Sequence, residues 1–125
     1  MKPKTFIVKG TIYPFDTIVS VGGDPKEAAK ALIDMWISEE DANDACPEWT
    51  TQGRTVMFLD TNVTIIRLKH PPKCPVSIAH LSHEVCHATQ FLFSKIGMWY
   101  WEDSYEAFAY YTGYLTEKII SKFLK

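Results

Sequence analysis

Apolar and polar positions alternate with a period of two along residues 5–13 and 15–22, on either side of Pro14, with Phe6, Val8, Ile18, Val19 and Val21 as the apolar set. Side chains two apart share a face of an extended chain, so this pattern predicts one or two strands ending at Gly22-Gly23. The period then changes. Ala28, Ala31, Leu32, Met35 and Trp36 recur at helical spacing, which predicts a helix to about Ser38. Its start is marked by Asp24 as N-cap, Pro25 at the first helical position and Glu27 in the first turn, where a side-chain acceptor and a negative charge both satisfy free N–H groups. Residues 39–53 hold Asp, Asn, Pro and Gly and read as a long connection. β-Branched and apolar residues fill 54–60 and 63–69, and Asp60-Thr61-Asn62 between them suits a tight turn, so the pair predicts a hairpin. The run His70-Pro71-Pro72-Lys73-Cys74-Pro75 ends the second strand. Helical spacing returns from about Val76 to Lys95, stopping near Gly97, and again from about Glu102 to Phe123, across the aromatic link Met98-Trp99-Tyr100-Trp101.

These elements predict an α+β fold. A small, mainly antiparallel sheet from residues 5–22 and 54–69 packs with three helices, at 25–38, 76–95 and 102–123. At 125 residues and 46% hydrophobic, the chain is sized for one domain, 1–125, with one ordinary core. A net charge of -2 without any Lys/Arg-rich run argues against a nucleic-acid partner. No stretch approaches the ~18 consecutive apolar residues of a membrane span. The N-terminal segment Met1–Lys9 is basic, but its apolar part is too short for a signal peptide. Cys46, Cys74 and Cys86 are odd in number and irregularly spaced, with no CxxC pair, so they make no disulfide framework. The expectation is a reduced, cytoplasmic chain.

Residues 83–87 read His-Glu-Val-Cys-His, an HExxH arrangement on a predicted helix. At about 100° per residue, His83 and His87 lie one turn apart on one face, and both imidazoles can reach one metal ion. Glu84, about 100° round from His83, is placed beside the metal rather than on it, where it can take a proton from a metal-bound water as general base. Leu81, Val85, Leu92, Ile78 and Ile96 fall on the opposite side, so the helix separates an apolar face from an imidazole face that also carries His80. A catalytic zinc needs a third protein ligand. From Ala107 to Leu115 no residue is charged, and Phe108, Tyr111, Leu115 and Ile119 cluster on one side. The last helix is therefore expected to be largely buried, and a carboxylate at Glu106 needs a partner to offset its desolvation. Ala109 and Gly113, near Glu106's side, would let this helix approach the HExxH helix closely.

His83-Glu84-Val85-Cys86-His87, eighteen intervening residues and then Glu106-x-x-Ala109 resemble the gluzincin metallopeptidases over residues 76–115. The spacing is similar to that of the aminopeptidase branch and of thermolysin-like enzymes. The compact size looks more like minimal single-domain metallopeptidase-like proteins of bacteria and their phages. The resemblance implies a zincin-like fold and one Zn2+ per chain, held by His83, His87 and Glu106, with Glu84 as general base and proton shuttle for hydrolysis of peptide or protein substrates. It also implies an edge strand before the HExxH helix that pairs with extended substrate, which by position would be 63–69. Against the family pattern, these 125 residues are expected to supply no counterpart of the C-terminal domain that walls one side of the cleft, and they show no N-terminus-recognition motif, which leaves exopeptidase against endopeptidase open.

Other residues carry weaker readings. Tyr110, one turn beyond Glu106, is the first candidate to donate to a tetrahedral oxyanion, followed by Tyr105, Tyr114 and His80. Core packing is the competing reading for each tyrosine. His80 lines the cleft or is a surface histidine, and Glu102 is an alternative to Glu106. Cys86 reads as a small buried residue, and Cys74 and His70 as loop positions. Trp99, Tyr100 and Trp101 form either a wall over the site or a clamp between the helices. The competing function is a zinc-binding structural or interaction protein without turnover. Against it stands Glu84, since a closed structural site has no need of a general base. A metal-free globular protein with a chance motif is the third reading.

Overall fold

The computed structural model describes residues 4–58 and 60–124. Residues 1–3 of the basic N-terminal segment and position 59 of the expected strand 54–60 lie outside them. Strands β1 (Lys4–Val8), β2 (Asp16–Val21), β3 (Gly53–Met57) and β4 (Val63–Leu68) form a four-stranded mixed sheet in the order β1-β2-β4-β3. The two hairpin pairs, β1–β2 and β3–β4, are antiparallel, whereas β2 and β4 run parallel at the centre. The sheet is thus mainly antiparallel, as expected, with one parallel pair that local patterns could not show. β4 is interior. The edge beside the hairpin turn belongs to β3, which corrects the expectation that 63–69 would be an edge strand.

The helices among the described residues are α1 (Pro25–Ile33), α2 (Glu39–Ala45), α3 (Pro75–Lys95) and α4 (Tyr105–Ile120), with a single 3-10 turn at Glu102–Ser104 before α4. That is four α-helices rather than three. The first expected helix ends early, because Trp36 adopts a left-handed φ of 70° and the Ile37 N–H turns back to Leu32 O at 3.1 Å. Trp36 is 94% exposed and not an apolar anchor of the helix. The stretch read as a connection contains α2 instead. Ser38 accepts from the Asp41 N–H at 3.1 Å, and Glu39, Glu40 and Asp41 fill a first turn where the helix dipole favours carboxylates.

The sheet is covered on both faces. Val19, Val21, Ile66 and Leu68 pack with Leu81, Val85 and Leu92 of α3 and Tyr111, Leu115 and Ile119 of α4. Ile18, Val63 and Ile65 point the other way, onto Ala28 and Leu32 of α1 and Ala42 and Ala45 of α2. This explains why every residue of β4 is buried. Arg67 is among them: its Nη1 donates to Pro47 O at 2.8 Å and its guanidinium lies over Trp49 at 4.2 Å. Burial pushes the Arg67 guanidinium below its usual range and the Cys46 thiol beside it above. No described helix is long and apolar enough to cross a membrane.

Candidate metal centre

α3 starts where Pro75 takes the first helical position and the Cys74 N–H donates to Ser77 Oγ at 3.1 Å. It ends at Gly97, whose φ of 76° and N–H bond to Ser94 O close the C-terminus as its sequence predicts. Burying Leu81, Val85 and Ala88 against the sheet and α4 turns His83 outward, with His87 half-buried beside it. The two rings meet edge to face, with Nε2 atoms 3.1 Å apart. Two nitrogens bound to one tetrahedral zinc at ~2.05 Å lie about 3.3 Å apart. By chemistry and spacing the pair therefore fits two positions of such an ion, and the ring of Phe91 stacks on His87 behind it, centroids 6.1 Å apart.

Glu84 points away from solvent, toward β3, and is 7% exposed. The Thr55 hydroxyl donates to Glu84 Oε1 at 2.7 Å. Gly53, two residues earlier on the same face of β3, leaves the space that the carboxylate occupies. A Cβ built there would stand 2.9 Å from both Cγ and Oε2 of Glu84. Neither Gly53 nor Thr55 stands out in the sequence, where a glycine before a strand and an alternating threonine are unremarkable. The Lys69 N–H bonds to Gln52 O, and the register pairs Arg54 with Arg67 and Val56 with Ile65. Antiparallel pairs alternate between hydrogen-bonded and open, so the backbone groups of Gly53, Thr55 and Met57 face the free edge of the sheet.

Glu106 stands apart from this pair, contrary to the expected ligand set. It is exposed, in the first turn of α4. The buried stripe of that helix is Tyr111, Leu115 and Ile119, and Glu106 lies about 140° off it, so its carboxylate is not desolvated. The register of the two helices sets the distance. Phe93 packs on Phe108 with centroids 4.3 Å apart, and Thr112 donates to Thr89 at 3.2 Å. In this antiparallel register Glu106 is level with Lys95, eight residues or about 12 Å along α3 from His87. Among the described residues no three His, Cys, Asp or Glu side chains converge to hold a metal.

Tyr110 is 55% exposed and, in the same register, level with Phe91, one turn beyond His87. Tyr114 is level with His87, but its hydroxyl donates to Lys9 O at 2.7 Å. Tyr105 stacks with Tyr100, centroids 4.4 Å apart, and Tyr100 packs edge-on against Phe108. Trp99, Tyr100 and Trp101 are nonetheless more than half exposed. Cys86 is exposed rather than buried. It lines an apolar cleft of about 710 Å³ with Gln90 of α3 and Ala109 and Gly113 of α4. A cleft therefore replaces the close helix approach expected at those small residues, and nothing lies within 4 Å of a Cβ built on Gly113. His80 is half-buried one turn before His83, while Glu102 and His70 are exposed. No protein-family model, no curated protein and no solved structure matches the chain.

Proposed function

We propose that the chain is a zinc-dependent hydrolase of peptide bonds, with His83 and His87 as ligands and Glu84 as general base. The observation that carries this reading is the convergence of the two Nε2 atoms to 3.1 Å one residue from a carboxylate held against an open strand edge. Zinc, when bound, supplies a Lewis acid that polarises a carbonyl and acidifies a water molecule. The chain's own residues do the rest. Thr55 ties down Oε1 of Glu84 and leaves Oε2, beside Gly53, to take a proton from water and return it to the leaving nitrogen. The N–H and C=O groups of Thr55 and Met57 and the N–H of Gly53 would hold an extended peptide by strand addition, the Gly53 carbonyl already accepting from the Thr51 hydroxyl at 2.7 Å. An edge strand before the HExxH helix is also what the zincin-like reading expects, with β3 in the role given to 63–69. Glu106 is left out of this ligand set, because bringing it to His87 would break both the Phe93–Phe108 and Thr89–Thr112 contacts.

The missing third ligand favours a second reading, a zinc-binding protein without turnover, since catalytic zinc is ordinarily held by three protein ligands. Metal content and hydrolysis of a fluorogenic peptide library, measured on the same preparations, separate the two. About one zinc per chain is expected, lost in His83→Ala and His87→Ala and retained in Glu106→Ala. Hydrolysis should vanish in Glu84→Gln with zinc retained. Zinc without hydrolysis by the wild type would select the second reading. Loss of zinc in Glu106→Ala would overturn the ligand set, and a wild type that takes up no zinc would overturn both readings.

A further inference from the structure

The free edge of β3 borders a second cavity on the other face of the sheet. β3 places Gly53 and Thr55 against Glu84, so Arg54 and Val56 project oppositely, toward α2. Between them and α2 lies a cleft of about 550 Å³, lined also by Trp36, Asp41, Asp44 and Asp60. Three carboxylates face one guanidinium, and none of the four takes part in an ion pair within 4 Å among the described residues. The indole of Trp36 is 94% exposed at the mouth. Thr61, on the same wall, has a buried hydroxyl without a partner among the described residues.

We infer that this cleft is a specificity pocket for a lysine or arginine side chain of an extended peptide bound along β3. The inference rests on the proposed reading of β3 as the strand that takes substrate. Side chains of an added strand alternate between the faces of the sheet. The residue paired with Thr55 turns its side chain toward Glu84 and α3, and its two neighbours turn theirs into the cleft between β3 and α2. The cleft holds a long side chain with water to spare. Its carboxylates complement an ammonium or guanidinium group, and the Trp36 face adds a cation–π contact. An acidic side chain there would meet three like charges against the single guanidinium of Arg54. Preference for a basic residue is therefore set next to the position seated over Glu84, by residues that touch neither histidine.

Calorimetric titration of acetyl-Thr-Thr-Lys-Thr-Thr-amide and its counterparts with central Glu or Leu, on the zinc-loaded Glu84→Gln protein, reads binding without cleavage. The Lys peptide should bind at least tenfold more tightly than the Glu peptide, with Leu between. The ratio should fall within twofold when Asp41→Asn and Asp44→Asn are combined. Trp36→Leu, at a fully exposed side chain, should weaken the Lys peptide alone, which guards against a folding defect in the double variant. Equal binding of all three peptides, no binding of any, or a ratio unchanged in the aspartate variant would overturn the pocket. The outcome is separable from that of the hydrolase reading. Wild-type cleavage without a basic preference removes the pocket and keeps the hydrolase; a Lys preference without cleavage keeps the pocket and removes the hydrolase.

Discussion

Thr55→Val keeps a branched side chain of the same shape in β3 and deletes one hydroxyl. That hydroxyl lies 2.7 Å from Glu84 Oε1 and 3.2 Å from the Glu84 carbonyl oxygen. It is the one donor to the carboxylate among the described residues, and Glu84 is 7% exposed. Hydrogen bonds to charged groups contribute about 1.5–3 kcal/mol, and an isolated buried acceptor incurs a similar desolvation cost. A loss of about 2 kcal/mol is therefore expected. In a chain of 125 residues this lowers the melting temperature by roughly 6–10 °C. Thermal and urea unfolding measure it directly. The cause is checked by a double-mutant cycle with Glu84→Gln, whose neutral amide oxygen still accepts from Thr55 but needs the bond less. Thr55→Val should cost about 1 kcal/mol less in the Glu84→Gln background than in the wild type. A loss below about 0.5 kcal/mol, or costs that simply add across the cycle, would refute the claim that Thr55 supports a desolvated carboxylate.

Two further predictions concern titration. Burial, the largest influence on the Tyr111 phenol, pushes it above its ordinary value, so the folded chain keeps the proton to higher pH than the unfolded chain. The stability this contributes is intact below about pH 10 and is lost as pH rises through the raised folded value. Urea midpoints at neutral and strongly alkaline pH should show a smaller alkaline loss for Tyr111→Phe than for the wild type; equal losses would contradict the assignment. At the start of α3, hydrogen bonds from Ser77 hold the Cys74 thiol below the ordinary thiol range, while burial pushes Cys46 up. Alkylation at neutral pH followed by peptide mapping should modify Cys74 before Cys86, although both are exposed, and Cys46 last. Ser77→Ala should slow Cys74 selectively, and faster modification of Cys86 would sink the argument.

The local part of the fold was legible because it follows from period and punctuation. Pro75 and Gly97 bound α3 almost where the sequence puts them, and the hairpin of β3 and β4 follows from two β-branched runs around a short polar turn. What failed needed information from elsewhere in the chain. Val63–Leu68 is apolar enough to be any strand, and only its parallel pairing with β2 makes it central. Nothing near Arg67 in sequence says that its guanidinium will be buried on Trp49. Met35 and Trp36 continue the helical spacing of α1, yet the chain reverses there through a left-handed residue and leaves the indole in solvent. α2 was hidden by its composition: residues that mark loops, Asn and Asp, here fill a short helix that buries only two alanines.

The candidate site divides along the same line. His83, Glu84 and His87 share one helix, so their mutual geometry is set by 3.6 residues per turn and needs no tertiary information. Glu106 is on another helix, and eighteen intervening residues bring it level with His87 only if the chain turns back near residue 96 or 97. The pairs Phe93–Phe108 and Thr89–Thr112 are instead centred near residue 100. α3 continues for two turns beyond His87 to Lys95, and the aromatic link and the 3-10 turn at Glu102–Ser104 occupy the residues that a tighter reversal would have returned along α3. Each residue by which the turning point moves shifts the facing register by two, or about 3 Å, so a displacement of about four residues accounts for the roughly 12 Å by which Glu106 misses the histidines. Motif spacing within one helix is thus a statement about chemistry, whereas spacing across a helix hairpin is a statement about where the chain turns. Here the aromatic packing of Phe93, Tyr100 and Phe108 decides the turning point.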